Sequence, residues 1–178
     1  MAASDLSRAE QRYRRLLVGL DAVDAVAALA DADLERRQPR VSRWGVAQHL
    51  EHLAAADRVT CDWIDRLLND PECGLPVAPK LVGRLILGLG YIPRGRGKAP
   101  RAVVPSGLPA AAVRALWATS AARWRGYGDR LPAIAACPAG FPHPYFGVLP
   151  LVEWLRFTPV HHHHHLKIVR DIRGAAAA

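Results

Sequence analysis

Apolar residues recur along the start of the chain at alternating steps of three and four: Leu6, Ala9, Tyr13, Leu16, Leu20, Val23, Ala27, Ala30 and Leu34. That spacing keeps one stripe on one helical face and predicts an uninterrupted first helix. "RRQPRVS" breaks it, since Pro39 disfavours helical backbone at Gln38. A second helix is expected from about Trp44 to Leu68, with Ser42 as a plausible cap and "NDPECG" as its stop.

Residues 73 to 107 hold many of the prolines and glycines and carry the weakest pattern. A short helix around Lys80 to Leu89 leads into "YIPRGRGKAPR", which reads as a basic loop. A third helix starts near Leu108–Pro109 and aligns Val113, Trp117, Ser120, Trp124 and Tyr127, with Gly126, Gly128 and Pro132 weakening its end. "CPAGFPHPYFG" reads as a loop. A fourth helix then begins near Pro150 and carries Trp154, Thr158, His161, His165, Ile168 and Ile172 on one stripe. Pro159 either kinks it or sits at the first position of a fresh helix capped by Thr158. The pattern predicts an all-α four-helix bundle with a long irregular connection between the second and third helices. It forms one domain over residues 1–174, with a disordered tail over 175–178.

Composition narrows the class more than the chemistry. With 178 residues, 51% of them hydrophobic and 22% charged, the chain is long enough to bury a real core in one domain. Its net charge of +8 permits nucleic acid, an anionic membrane or acidic metabolites without selecting any. Cys61, Cys73 and Cys137 are odd in number and unpaired by spacing, which predicts a reducing, cytoplasmic setting. The N-terminus lacks the apolar core of a signal peptide. "LVGRLILGLGYI" carries Arg84 and is too short to span a bilayer.

Candidate chemistry centres on histidine. The run His161–His165 is followed by Leu166, Ile168, Val169 and Ile172, which continue a helix, so it does not read as a purification tag. His161 and His165 are four apart and share a face; His49 and His52, three apart, share one on the second helix. Facing helices of a bundle can pool such side chains into a metal site. Two imidazoles from one helix and one from another give three nitrogen ligands and an open fourth position, the pattern of a catalytic rather than a structural site. The plainer reading is a polar surface patch, since a five-histidine run makes an HxxxH pair inevitable. Spacing does not choose between His49 and His52, nor exclude a pairing through His162; unless used as a ligand, His162 should face solvent with His163.

"RWGVAQHLEHLAAADR" and "HPYFGVLPLVEWLRFTPVHHHHHLKI" together resemble the DinB-like (YfiT-like) superfamily, in particular a branch of unknown function. The likeness rests on a Trp opening the second helix, a His-Leu pair eight residues on, and an HxxHH pattern in the last helix; it spans roughly Arg43 to Ile172. It implies a four-helix bundle, commonly a homodimer, holding a divalent metal, often nickel or zinc. Carried over, the ligands are His52, His161 and His165, with His164 completing HxxHH and a candidate for proton transfer. Relatives often carry Gln where Ile168 stands. Characterised relatives include thiol-dependent S-transferases and a mycothiol-dependent isomerase, so metal-dependent hydrolysis or thiol transfer on a small molecule is expected. A low-molecular-weight thiol is then a possible cosubstrate.

The remaining motifs add less. "PRGRGKAPR" is not a Walker A loop, since Ile92 stands where the first glycine belongs and Ala99 replaces Ser/Thr. It reads as a solvated basic loop, or as one folded over the metal mouth in which Arg94 and Arg96 hold an anionic substrate. His143, Tyr145 and Phe146 either wall the pocket, with Tyr145 against the substrate, or plug the bundle end. The tryptophans, Trp44 included, read as core; Glu51 should point away from the metal; Asp57 is a candidate partner for a ligand. A non-catalytic metal or small-molecule binding module is the alternative, and a nucleic-acid binder ranks last for want of a recognisable motif.

Overall fold

The first apolar stripe forms a helix that ends sooner than its spacing implies. In the computed structural model, which describes residues 3–95 and 97–175, α1 spans Ala3–Ala27 and a single-turn α2 spans Asp31–Leu34, with Ala30 extended between them (φ −59°, ψ 153°). The break is satisfied from outside. Arg114 donates to the carbonyls of Ala27 (2.9 Å) and Leu29 (2.7 Å) and pairs with Asp31 (2.6 Å), taking up acceptors that a continuing helix would have used. Leu34 is still buried, so the seam persists across the break.

The second long helix, α3, spans Val46–Asn69. Its cap is not Ser42: Gln48 Oε1 accepts the Gly45 N–H at 3.1 Å, while Ser42 Oγ accepts the Trp44 N–H. A 3-10 turn at Pro71–Cys73 ends it. The irregular stretch then holds β1 (Leu75–Pro76), β2 (Ala78–Pro79) and α4 (Leu81–Leu89), which Gly90 closes at φ +63°. The third long helix, α5, spans Ala110–Arg125, and a short α6 that the sequence pattern did not separate spans Leu131–Ala136.

The loop expected at "CPAGFPHPYFG" is a hairpin of β3 (Ala139–His143) and β4 (Gly147–Pro150), with Phe141 opposite Leu149. β1 and β2 extend it to a four-stranded antiparallel sheet of order β1-β3-β4-β2, so the fold is mostly helical but not all-α. Prolines and glycines inside the strands break the period-two signal, yet the ladder needs one of them: a side chain at Gly140 would run into the Leu149 carbonyl.

The last helix, α7, runs unbroken over Leu151–Gly174 with Pro159 inside it. Thr158 does not cap a fresh helix; its hydroxyl donates back to the Trp154 carbonyl at 3.0 Å. Pro159 lies against Gly19 of α1, where a Cβ would come within 3.2 Å of the proline ring, so the glycine lets the two helices close at this point. The core runs between α1, α3, α5 and α7, through Leu16, Leu20, Ile64, Trp117, Trp124 and Leu155. No helix among the described residues is long and apolar enough to cross a membrane. Arg96, and the expected tail beyond Ala175, lie outside the described residues.

Candidate metal centre

α3 and α7 pack side by side and bring histidines from both onto one line. The Nε2 atoms of His52 and His161 lie 3.2 Å apart, and those of His161 and His165 lie 3.1 Å apart. One ligand atom from each of the three falls within 4.8 Å of the others. A tetrahedral ion with metal–nitrogen bonds of 2.0–2.1 Å has nitrogen–nitrogen edges of about 3.3–3.4 Å, close to these separations. Nitrogen donors on one side, without a carboxylate among them, suit a borderline divalent ion rather than calcium or magnesium.

The outward nitrogens of His52 and His165 are held. His52 Nδ1 donates to the Val103 carbonyl at 2.7 Å, which leaves the lone pair on Nε2, the atom facing the cluster. His165 Nδ1 lies 2.9 Å from Nδ1 of His49, whose Nε2 lies 3.0 Å from Ser42 Oγ. With His165 protonated at Nδ1, its Nε2 is free and the chain runs one way: His165 N–H to His49, His49 N–H to Ser42. His49, which spacing alone left as a rival ligand, is thus a partner to a ligand. Ser42, expected as a helix cap, ends the relay.

Burial keeps these rings neutral. It pushes the pKa of His161 and His165 well below the usual histidine value, with the neighbouring imidazoles adding to the shift. It lowers His52 as well, partly offset by the Val103 carbonyl and Asp57, and takes His49 to about 3. Neutral imidazole is the form that binds metal. Trp44 is not core: half-buried, it lies 5.0 Å from the His52 ring and 6.3 Å from His165, forming an aromatic wall. On the other side Phe157 stacks on His161 at 5.2 Å, and His143 abuts Phe157.

The loop after α4 is tied to α7 and α3 at two points. His164 Nδ1 donates to the Ile92 carbonyl at 3.0 Å, so this loop is bonded by His164 near its start and by His52 at Val103. Just beyond, Glu51 accepts four bonds, from the N–H groups of Ser106, Gly107 and Leu108 and the Ser106 hydroxyl, at 2.7–3.2 Å. Burial pushes its carboxyl up, but these donors outweigh that and hold it below the usual range. As expected, Glu51 points away from the histidines; it clamps the loop that orients one of them.

Other expected residues lie elsewhere. His162 does not face solvent: it is fully buried, with Nε2 2.8 Å from Asp57, and its Nδ1 has no hydrogen-bond partner among the described residues. Asp57 therefore serves His162 rather than a member of the cluster, while His163 is exposed. Arg94 pairs with Asp171 at 2.7 Å on the outer surface. The Tyr145 hydroxyl accepts the Lys98 N–H and donates to its carbonyl, both at 2.8 Å, pinning the basic loop. His143 accepts the N–H groups of Tyr145 and Phe146, and burial takes it to about 4.

The family model of the DinB superfamily matches residues 6–169, across the helices that carry the cluster. The chain belongs to the DinB superfamily. Neither a curated protein nor a solved structure gives a match. Superfamily membership and the three-histidine cluster point the same way, toward metal binding.

Proposed function

We propose that this DinB-superfamily chain holds a divalent ion, nickel or zinc, on Nε2 of His52, His161 and His165, and acts on a small molecule at the position they leave open. Its four long helices, α1, α3, α5 and α7, are read as the four-helix bundle of that superfamily. The observation that carries the proposal is the meeting of three neutral imidazoles, His52 and His165 buried and His161 half-buried, at 3.1–3.2 Å with no carboxylate among them. The bound ion would supply Lewis acidity, making water or a thiol acidic enough to ionise near neutral pH.

The chain's own groups do the rest. Val103 and the His49–Ser42 pair fix which nitrogen of His52 and His165 carries the proton. His164 spends its Nδ1–H on Ile92, so its Nε2 is left to accept a proton beside the cluster. Trp44 and Phe157 keep water from the sides. Arg94, on the loop that Tyr145 pins, and Arg96, two residues on in the sequence, are the groups for an anionic substrate; Arg94 must then exchange its bond to Asp171. Hydrolysis and thiol transfer, the latter with a small thiol as cosubstrate, are the two reactions proposed for this site.

Metal-loaded protein assayed against thiol and ester substrates tests the reading. Saturable turnover that disappears in His52→Ala supports it. One metal per chain with no turnover of either class makes the protein a binding module and removes the enzymatic reading.

A further inference from the structure

The segment from Cys73 to Gly107 contains six Lys or Arg residues and no Asp or Glu. At its centre lies α4, which meets the rest of the protein on one side only: Leu87 is buried, Ile86 half-buried, and Gly83 lies directly under the Phe146 ring. The opposite side carries Leu81, Val82, Leu85 and Leu89, exposed by 71%, 47%, 56% and 78%. Leu81, Leu85 and Leu89 are spaced by four and form one stripe, with Val82 beside it. Such a contiguous aliphatic face marks an interaction site rather than ordinary surface.

The charges on the helix and along its segment are basic. Lys80 stands at the start of the helix and Arg84 lies on it, both exposed. Tyr91, half-exposed just past the helix, has the Lys167 ammonium 5.1 Å from its ring. Lys98 is held to Tyr145, whose neighbour Phe146 covers Gly83. Asp171 is the nearby carboxylate, and Arg94 occupies it. Among the described residues Lys80, Arg84 and Lys98 have no acidic partner.

We propose that α4 and its basic surround dock this protein on an anionic lipid bilayer, with the leucine stripe entering the headgroup boundary. Aliphatic side chains on one face, cations flanking them and an aromatic at the rim are the features of a helix lying in a membrane interface. The stripe is aliphatic and open to solvent along the helix, which suits a deformable apolar layer. A second copy of the chain would bring the same uncompensated positive patch to both sides of the contact. Docking needs no spanning segment, and it sets the start of the loop that follows α4, at Tyr91, next to the lipid surface.

Cosedimentation of the full chain with unilamellar vesicles tests this, using phosphatidylcholine alone and phosphatidylcholine with about one-third phosphatidylglycerol. Wild type is expected to bind the anionic vesicles, less as salt rises, and to leave neutral ones unbound. Leu85→Asp/Leu89→Asp and Lys80→Glu/Arg84→Glu should each weaken binding at least about tenfold, with unchanged circular dichroism and melting. Failure of wild type to bind anionic vesicles overturns the proposal, as does wild-type binding by both variants. A dimer that falls apart in the leucine variant, without vesicle binding by wild type, assigns the face to a second copy and likewise overturns it.

Discussion

His49→Leu isolates the relay behind the metal centre. The ring it removes lies 2.9 Å from Nδ1 of His165 and 3.0 Å from Ser42 Oγ, and it is 2% exposed, so water does not readily replace it. Leucine leaves the His165 N–H buried without an acceptor, a loss of about 1–3 kcal/mol. Free to turn, His165 then presents Nε2 less often. Removing such outer partners weakens metal binding by about 10–100-fold, or about 1.4–2.7 kcal/mol, which agrees with the hydrogen-bond figure. The assay is chelator competition for cobalt or zinc, with the cobalt absorption spectrum reporting the donor set. His49→Leu should bind one ion about 10–100-fold more weakly. His49→Gln, whose amide can accept from His165 and donate to Ser42, should recover most of the loss. Wild-type affinity in His49→Leu, with binding abolished in His165→Ala, would refute the relay.

Other consequences are as direct. Asp57→Ala leaves His162 Nε2 buried without its acceptor and should lower unfolding stability by about 2–3 kcal/mol in denaturant titrations, while metal stoichiometry stays the same. Gly19→Leu should force α1 from Pro159 and cost about 1–3 kcal/mol by the same measure. The native pKa values of His49, at about 3, and His143, at about 4, lie below the unfolded value near 6.5. Their stabilising contribution is therefore complete above about pH 6.5 and declines as pH falls, by up to about 1.4 kcal/mol per pH unit for each ring. Metal-free protein should show a falling denaturant midpoint between pH 7 and 5; a flat or rising midpoint would contradict the neutral buried imidazoles. Glu51→Ala should speed amide hydrogen exchange at 106–108, which its carboxylate now holds, and weaken metal binding through Val103; unchanged exchange would remove its role as a clamp.

The long helices were legible because their apolar stripes are long and regular: the buried positions at Leu16, Leu20 and Val23, or at Val113, Trp117 and Trp124, are those that periodicity marks. The hairpin was not, because Pro142, Gly140 and Gly147 hide the alternation of a strand, and its pairing with Leu75–Pro76 and Ala78–Pro79 is distant in sequence. The break after Ala27 was invisible too, since the group that satisfies its carbonyls, Arg114, comes from another helix. At the site, spacing placed His161 and His165 on one face, and the DinB resemblance singled out His52. The structure brings the same three together. The roles of His49, Ser42, Trp44 and Glu51 depend on contacts across the fold. Only the pair His49 and His52, three apart, hinted that the second helix carried more than one working imidazole.

Metal content decides the central claim. Untagged protein purified without a nickel column would be measured by mass spectrometry beside His52→Ala and His161→Ala/His165→Ala. The arrangement at α3 and α7 predicts about one divalent ion per chain, lost in both variants. Metal kept without His52 but lost without the α7 pair would mean that the histidine run binds alone, and the three-histidine centre would be wrong.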